Sequence, residues 1–380
     1  VQKCAVIGVE MDDVLGRFLE DLKSEAPPLA RIAAFSVEEV PCQPDGTFEI
    51  LPSASGERTD TLIAPDIATC SDCLHELLDP ADRRYGYPFI NCTNCGPRFT
   101  ILQRIPYDRS NTSMAAFPMC RSCKQEYDDP LSRRFHAQPN ACWDCGPRLT
   151  LLDRDGEHVI GDPVGHLIEF LRAGCVAAVK GIGGFHLAVD ATSSTAVEEL
   201  RRRKRRFEKP FAVMVADTRQ AEEFCIVSEQ DRETLESPER PIVILRARQG
   251  SRLPEAIAPR NPYIGVFLPY TPIQHLLFSR GNFAALVMTS ANLSEEPLCI
   301  DNDEALERLR GITDFFLVHN RDILLRCDDS VVRAAAGGTQ MLRRSRGFVP
   351  VPLILEHGGS PVLAVGGERT GQRHAEADLD

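Results

Sequence analysis

The chain has 380 residues, more than a typical domain of about 150 residues, and this length predicts a modular protein. Hydrophobic residues make up 43% of the sequence and charged residues 26%, values that exclude a mostly disordered, collagen-like or membrane-embedded chain. The 43 basic and 55 acidic side chains give a net charge of −12, which argues against a protein that binds polyanions through its overall charge. Any phosphate-binding site is therefore expected to be local.

The sequence offers no segment that predicts contact with a membrane. No stretch approaches the ~18 consecutive apolar residues of a membrane span, and the first residues lack the pattern of a secretory leader. We therefore expect a cytoplasmic protein, in which the 14 cysteines are more often metal ligands or redox centres than disulfides. Because the chain starts at Val1 and ends in a polar run after a strand-like segment at 362–365, we expect a fragment of a longer protein.

Helices and strands are predicted in chain order from the spacing of apolar residues. An amphipathic helix within 9–32 is stopped by Pro27 and Pro28, a strand follows at 31–40, and residues 50–65 have the composition of a linker. Beyond Gly161 the pattern alternates between helices and strands, which is typical of an α/β domain. The predicted elements there are a helix at 164–172, a strand at 176–180, a glycine-rich turn at 181–184, a helix at 195–206, and strands at 211–215, 242–245 and 286–289.

An internal repeat lies between these two regions. Residues 70–102 align with residues 120–152, and 14 of the 33 positions are identical, which chance does not explain. Each unit has the spacing Cys-x2-Cys-x18-Cys-x2-Cys, which favours a tetrahedral zinc site with four thiolates. The predicted ligands are Cys70, Cys73, Cys92 and Cys95 in the first unit and Cys120, Cys123, Cys142 and Cys145 in the second.

Four thiolates leave no open coordination position, so both zinc ions are expected to be structural. We expect the ligands to come from within each repeat, and an exchange of ligands between the repeats is the alternative. A redox role is less favoured because thioredoxin-type motifs occur singly in a βαβ unit. His75 and His136 have the chemistry of substitute ligands, but surface histidines are the simpler interpretation.

A run of six cations at 201–206, followed by Lys209, stands out in this acidic chain. Six consecutive side chains cannot share one helix face, so some are expected to point toward the protein body. Lys180 ends a predicted strand and leads into the glycine-rich turn, whose backbone amides could approach a phosphate closely. The Walker pattern is absent, and a solvated surface or a nucleic-acid patch is the alternative interpretation of the cationic run.

The order of the polar motifs resembles the YrdC/Sua5-type fold, which makes carbamoyl-adenylates from ATP. The matching positions are 180–190, Lys204 with Arg206 and Lys209, Ser290 with Asn292, 329–332, and 344–347. With the duplicated cysteine units directly upstream, nearly the whole chain resembles the HypF-type carbamoyltransferases of nickel-iron hydrogenase maturation.

This resemblance implies a multidomain α/β protein. It implies half of an acylphosphatase-like α+β module at 1–50 and a small module of tandem zinc fingers at 66–152. A YrdC/Sua5-like nucleotide-binding α/β domain is expected at 160–352, and the truncated start of a Kae1-like domain at 361–380.

The resemblance also implies an activity. The family forms carbamate from carbamoyl phosphate, adenylates it with ATP and Mg²⁺, and passes the carbamoyl group to the C-terminal cysteine of a partner hydrogenase maturation protein. This chain is expected to retain the adenylation step. The implied catalytic residues are Lys180, Lys204 and Arg206, and the implied nucleotide-binding residues are Lys209, Ser290, Asn292, Ser330, Arg344, Arg346 and His186.

Three alternatives remain, one of which is an inactive fragment with folded zinc and α/β modules. A threonylcarbamoyl-adenylate synthase would share the nucleotide motifs, but the tandem cysteine units argue against it. A module that binds double-stranded RNA through the cations at 201–206 is the third alternative, and the net charge of −12 makes it weaker.

Overall fold

The computed structural model describes residues 12–25, 37, 62–292, 296–335 and 338–353. The chain divides into two compact units, Val1–Leu62 and Ile63–Asp380. In the first unit, helix α1 (Asp12–Ser24) forms within the range predicted from the sequence. Most of the predicted strand at 31–40, most of the predicted linker, and the predicted start of a Kae1-like domain at 361–380 lie outside the described residues.

The second unit begins with the two cysteine repeats, and each repeat folds in the same way. The residue after the first cysteine starts a helix of eight residues, α2 (Ser71–Leu78) in the first repeat and α3 (Arg121–Asp128) in the second. Short 3₁₀ turns follow at Phe99–Ile101, Arg109–Asn111 and Ser113–Ala116. The sequence repeat is thus a structural repeat.

Strands and helices alternate through the rest of the second unit. The strands are β1 (Leu149–Asp153), β2 (Ala177–Lys180), β3 (Phe185–Asp190), β4 (Ala212–Met214), β5 (Cys225–Ile226), β6 (Ile242–Ala247), β7 (Tyr263–Phe267), β8 (Leu286–Ser290), β9 (Phe315–His319), β10 (Val331–Ala335) and β11 (Gly338–Arg343). The helices are α4 (Pro163–Arg172), α5 (Ser194–Arg203), α6 (Thr218–Phe224), α7 (Glu229–Glu236), α8 (Pro272–Gly281) and α9 (Asn302–Leu309), with a 3₁₀ turn at Glu255–Ile257.

Side-chain caps fix where several of these helices begin. Asp162 accepts the Val164 N–H before α4, and Thr271 forms a capping box with Gln274 before α8. Proline stands at the first position of both helices, where its missing N–H has no intrahelical partner to lose. These polar groups mark helix starts that apolar spacing alone leaves open.

The described strands form one mixed sheet in the order β1-β9-β2-β3-β8-β4-β7-β6-β10-β11, with β5 paired to β6. Strand β3 lies antiparallel between β2 and β8, with Lys180 opposite Phe185 and His186 opposite Ser290. Strand β9 runs parallel to β2, with Leu317 opposite Val179. The carboxyl ends of β2, β8 and β9 therefore meet at one edge of the sheet.

Both faces of the sheet are buried. Alternation along β3 sends Phe185 and Leu187 to one face, which packs against α5, α6, α7 and α9. His186 and Ala188 point to the other face, where the core includes residues of α4, α8 and the cysteine repeats. Leu77, Tyr87 and Ile90 of the first repeat are nearly inaccessible and belong to this second core. The cysteine repeats are thus packed onto the sheet.

Most of the elements predicted beyond Gly161 are confirmed to within a few residues. The helix expected at 195–206 ends earlier, at Arg203, because Lys204 is its C-cap and Arg205 adopts a positive φ of 53°. Strands β1, β3, β5, β7, β9 and β11 were not predicted, whereas β10 follows the Asp-Ser-x-Val motif at 329–332 that the family resemblance implied as a strand. No helix in the described residues is long and apolar enough to cross a membrane.

Candidate functional site: two four-cysteine clusters and a cationic sheet edge

The eight predicted cysteine ligands gather in two clusters, each formed within one repeat. Neighbouring sulfur atoms lie 3.7 Å apart for Cys70 and Cys92 and 3.6 Å apart for Cys123 and Cys145. A tetrahedral ion with Zn–S bonds of about 2.3 Å requires sulfur atoms roughly 3.8 Å apart. The geometry of both clusters therefore fits a four-thiolate zinc finger, and ligand exchange between the repeats is not observed.

Each repeat also reaches across to the cluster of the other repeat. Arg83 donates to the Cys123 sulfur at 3.4 Å, and the equivalent Arg133 donates to the Cys73 sulfur at 3.3 Å. The adjacent arginines also bind across the repeats. Arg84 of the first repeat binds Glu126 of the second, and Arg134 of the second repeat binds the equivalent Glu76 of the first. A four-thiolate zinc site carries a net charge of about −2, and these guanidinium groups stand where they offset it.

Lys204 is the C-cap of α5, and its side chain extends to the end of β8 at the sheet edge. Its ammonium group is buried and donates to the Ser290 carbonyl and to Asn292 Oδ1, the latter at 3.2 Å. The Ser290 hydroxyl donates to the same Asn292 oxygen at 3.0 Å. Burial and the neighbouring charge of Arg206 lower the pKa of Lys204 to about 7. Three of the predicted site residues thus meet at one point.

Arg206 and Lys209 continue this group of cations. The Arg206 guanidinium donates to the carbonyls of Lys209 and Pro210 at 3.1 and 2.6 Å. Burial and repulsion from nearby cations lower the pKa of both Arg206 and Lys209, that of Arg206 to about 10. Arg343 adds a further positive charge to the surroundings of both residues. We call Lys204, Arg206, Lys209 and Arg343 the cationic cluster.

One carboxylate accompanies the cationic cluster. Asp328 attracts Lys204, Arg206 and Lys209 and accepts a hydrogen bond from Arg343 Nη1 at 2.5 Å. Among the described residues, four cations therefore share one close carboxylate, and this local excess of positive charge is suited to a polyanion such as a triphosphate.

Lys180 lies at the same edge, at the end of β2. The whole residue is 3% exposed. Its ammonium group donates to Asn302 Oδ1 at 2.7 Å and to the His319 carbonyl at 3.2 Å. Burial lowers the pKa of Lys180 to about 8, although the charges of Asp322 and Asp301 oppose that shift. Lys180 thus lies among a different set of partners from those of Lys204.

His186 and Arg346 meet in a separate buried network around Asp329. Asp329 Oδ2 lies 2.9 Å from His186 Nε2, and Asp329 Oδ1 accepts from Arg346 Nε at 2.8 Å. The Arg346 guanidinium carbon lies 3.3 Å from the centre of the Tyr270 ring. Burial acts to raise the pKa of Asp329, but Arg346 and His186 hold this pKa well below its usual range.

Ser330 and Arg344 also bond to protein atoms. The fully buried Ser330 hydroxyl donates to the Arg346 carbonyl at 2.9 Å and accepts the Ser345 N–H at 2.8 Å. The Arg344 guanidinium donates to the carbonyls of Phe348, at 2.9 Å, and Val351. The Ser330 bonds hold the segment after β11 against the start of β10, and the Arg344 bonds lie within that segment.

The cationic run at 201–206 does not form a single charged surface. Arg201 is buried and donates to the carbonyls of Ala256 and Ile257. Arg202 pairs with Glu199 at 2.7 Å, and Arg203 pairs with Glu199 at 2.6 Å and with Asp314 at 2.8 Å. Half of the run is therefore used in packing and in local ion pairs.

Several residues of this region were not among the sequence-based candidates. Asp329 stood next to the predicted Ser330, so the motif carried a signal for it. The sequence carried no signal for Tyr270, Asn302 or Arg321, because their closeness to the site depends on how loops return to the sheet edge.

Comparisons with known proteins agree with this architecture. Residues 169–345 match the Sua5/yciO/yrdC family, described as telomere recombination, and residues 69–102 and 119–152 each match the HypF finger. The chain is 50% identical over 369 residues to carbamoyltransferase HypF2 of Cupriavidus necator. This alignment covers 92% of the present chain and 46% of that protein. It is 47% identical to carbamoyltransferase HypF of Synechocystis sp., with 96% of this chain and 48% of that protein covered.

Solved structures give the same result. The crystal structure of full-length HypF in the phosphate- and nucleotide-bound form matches with a TM-score of 0.86 and 48% identity, covering 91% of this chain and 45% of that chain. The structure of T. kodakarensis HypF matches with a TM-score of 0.81 and 46% identity over 90% of this chain and 44% of that chain. The present chain spans about half the length of the curated relatives it matches.

Fold and clusters together define a class of protein in which tandem four-cysteine fingers are packed onto a YrdC/Sua5-like α/β domain. Matches at about half identity extend over more than nine tenths of the chain. The chain belongs to the HypF carbamoyltransferase family.

Proposed function

We propose that this chain carries the carbamate-adenylating step of a HypF-type carbamoyltransferase. The observation that carries the proposal is the buried Lys204 ammonium group, held between the Ser290 carbonyl and Asn292 Oδ1 beside Arg206 and Lys209. A relative 48% identical to this chain has been solved in a phosphate- and nucleotide-bound form, which supports a nucleotide site in this fold.

In the proposed reaction, a carbamate oxygen attacks the α-phosphorus of ATP. A new P–O bond forms, the bond from the α-phosphorus to the bridging oxygen breaks, and pyrophosphate leaves with the electron pair. The products are carbamoyl-adenylate and pyrophosphate. Negative charge grows on the leaving group, so fixed cations near the β- and γ-phosphates lower the barrier. Mg²⁺ would enter with ATP as part of the substrate.

We assign Lys204, Arg206 and Lys209 to the triphosphate, because they are the predicted residues of the cationic cluster. Ser290 and Asn292 would exchange their present mutual hydrogen bond for bonds to the nucleotide. Lys180 would hold the carbamate or the α-phosphate from the end of β2. The buried residues His186, Ser330 and Arg346 and the partly buried Arg344 would act indirectly, by fixing the 328–347 segment that carries Asp328 and Arg343.

Two zinc ions are proposed to occupy the four-cysteine clusters. The sulfur spacing fits the ion, and no coordination position would remain for a substrate. When bound, zinc would supply structural cross-links. The first repeat covers one face of the sheet through Leu77, Tyr87 and Ile90, so loss of metal is expected to loosen the domain that contains the cationic cluster.

The substrates and partners of the full reaction follow from the family and are part of the proposal. Carbamate would derive from carbamoyl phosphate, and the carbamoyl group would pass to the C-terminal cysteine of a hydrogenase maturation protein. We place this reaction in the cytoplasm, where the eight thiolates would remain reduced.

The test is exchange of labelled pyrophosphate into ATP by the zinc-loaded chain, in ammonium bicarbonate solution that supplies carbamate. Lys204→Met should lower the exchange rate roughly 10²-fold, the loss typical of removing one charge-stabilising group. Arg202→Gln, which removes an exposed neighbour in the same run, should retain the rate. Equal rates for the parent chain and the folded, zinc-loaded Lys204→Met variant would refute the assignment.

A further inference from the structure

Residues 319–325, which we call the linking segment, contact both the cysteine repeats and Lys180. The His319 carbonyl, at the end of β9, accepts hydrogen bonds from Lys180 Nζ and from Asn302 Nδ2, each at 3.2 Å. His319 Nε2 lies 3.3 Å from the Gly181 carbonyl oxygen, so the same residue also contacts the turn that follows Lys180. The position of the Lys180 ammonium group therefore depends on where His319 is held.

Both cysteine repeats bond to the linking segment. The carbonyl of Thr100, in the first repeat, accepts the Leu324 N–H at 2.8 Å. The N–H of Arg148, in the second repeat, donates to Asn320 Oδ1 at 2.8 Å. The cysteine repeats thus fix the backbone that carries the His319 carbonyl.

Phe89 of the first repeat packs its side chain against the linking segment. The ring centres of Phe89 and His319 lie 5.2 Å apart with their planes at 89°, which is an edge-to-face contact. The Arg321 guanidinium carbon lies 5.1 Å from the centre of the same Phe89 ring. Phe89 is buried and lines, with Gly181 and Arg321, a cavity of about 20 Å³, which has room for about one water molecule. Loss of the ring would enlarge this cavity and admit more water beside His319.

The second repeat shows that the finger itself does not require this ring. When residues 70–102 are aligned with residues 120–152, the position equivalent to Phe89 is Pro139. The second repeat still forms the same helix and the same four-cysteine cluster. The aromatic ring of the first repeat therefore serves the contact with the sheet edge.

The charges around Lys180 make its ammonium group sensitive to the access of water. Burial lowers the pKa of Lys180 to about 8, repulsion from Arg321 acts in the same direction, and Asp322 and Asp301 oppose the shift. Burial also holds the pKa of His319 well below its usual range, so its ring is neutral at pH 7. Additional water beside His319 would weaken the effect of burial and raise the pKa of Lys180 toward its ordinary value.

We propose that Phe89 is a positioning residue for Lys180, because its ring holds His319 and His319 in turn holds the Lys180 ammonium group. The first cysteine repeat thereby contributes to the rate of the reaction at the sheet edge, in addition to covering one face of the sheet. This role rests on the proposed adenylation, in which Lys180 contacts the reacting groups. Phe89 itself contacts no substrate.

The pKa of Lys180 tests this contact without relying on catalysis. The chain has six lysines, so NMR of the zinc-loaded chain labelled with ¹³C at the lysine Cε can titrate Lys180, with Lys180→Met to assign its signal. Phe89→Leu keeps most of the apolar volume but loses the ring, and it should raise the pKa of Lys180 by roughly 0.5 or more. Leu77→Ala, which truncates another buried residue of the first repeat, should leave this pKa unchanged. An unchanged pKa in the folded, zinc-loaded Phe89→Leu variant, or an equal shift in Leu77→Ala, would overturn the proposal.

Pyrophosphate exchange separates positioning from stability. Phe89→Leu should lower the rate at saturating ATP about tenfold and leave the KM for ATP unchanged, because the cationic cluster is built on other elements. In a Lys180→Met background the same substitution should have no further effect on the rate, since it acts through Lys180. Full additivity of the two substitutions would contradict the proposed role. A pKa of Lys180 that shifts in Phe89→Leu, in a chain whose parent shows no carbamate-dependent exchange, would instead defeat the proposed adenylation and leave the contact between Phe89 and the Lys180 site standing.

Discussion

Arg133 of the second repeat donates a hydrogen bond to the Cys73 sulfur of the first repeat at 3.3 Å. Its equivalent, Arg83 of the first repeat, donates to the Cys123 sulfur of the second at 3.4 Å. The two four-cysteine clusters are therefore coupled through reciprocal arginines, and each repeat completes the surroundings of the other repeat's metal site.

The first prediction concerns metal retention across the repeats. Arg133→Gln should weaken zinc binding at the Cys70 cluster, and Arg83→Gln should weaken it at the Cys120 cluster, each by about 10–100-fold as for other groups that bond to metal ligands. Competition with a coloured chelator measures both affinities, and Arg121→Gln, at an exposed position, serves as the matched control. Weakening confined to the repeat that carries the mutation would contradict the coupling.

A second prediction concerns the buried ion pair of Asp329 and Arg346. Asp329→Asn leaves the Arg346 guanidinium buried without its carboxylate, and it should lower the free energy of unfolding by about 3–5 kcal/mol. Denaturant titration at neutral pH measures this loss. Ser330→Ala, which removes one hydroxyl from the same segment, should cost about 1 kcal/mol.

The pH dependence of stability provides a check on the same pair. The pKa of Asp329 is lower in the folded chain than in the unfolded chain. Its stabilising contribution is therefore present above the unfolded pKa of about 3.9 and is lost as pH falls toward the folded pKa. The Asn variant should lack this part of the acid destabilisation, and identical acid profiles for both chains would contradict the assignment.

A third prediction follows from the pKa of Lys204, which is lowered to about 7 by burial and by Arg206. Above that pH the free chain holds Lys204 largely neutral, whereas a bound triphosphate favours the charged form. ATP binding near pH 8.5 should therefore take up a proton, and binding below pH 6 should not take one up at this group. Calorimetry in buffers of different ionisation enthalpy measures the uptake, and its persistence in Lys204→Met would exclude Lys204 as its source.

Duplex RNA binding is expected to be weak. Arg201, Arg202 and Arg203 are engaged with carbonyls or with Glu199 and Asp314, so few cations of the run remain available to a phosphate backbone. Gel-shift titration at ~0.15 M salt should show no stable complex, because such binding falls steeply with salt. A stable complex that survives this salt and is lost in Arg202→Gln would favour the RNA-binding alternative.

Local signals in the sequence predicted the parts of this molecule that depend on spacing. The cysteine repeat predicted both clusters, since ligand spacing is a local feature of the sequence. The meeting of Lys204 with Ser290 and Asn292 was expected only from a family resemblance. Nothing in the sequence relates residues 86 positions apart until the sheet order places the end of α5 beside the end of β8.

What the sequence could not predict arises from long-range packing. Burial of the first repeat against α4 and α8 depends on scattered apolar residues such as Leu77 and Ile90, which have no periodic pattern. The two arginines, Arg83 and Arg133, occupy identical positions in the repeat. The sequence does not show that each one contacts the cysteine cluster of the other repeat, because that contact depends on how the two repeats pack together.

The most direct test of the account compares substrates in pyrophosphate exchange by the zinc-loaded chain. The exchange should require carbamate, supplied by ammonium bicarbonate, and it should not respond when threonine replaces ammonium. Exchange that depends on threonine, or no carbamate-dependent exchange by a folded chain that binds ATP, would contradict the assignment of carbamate adenylation to this domain.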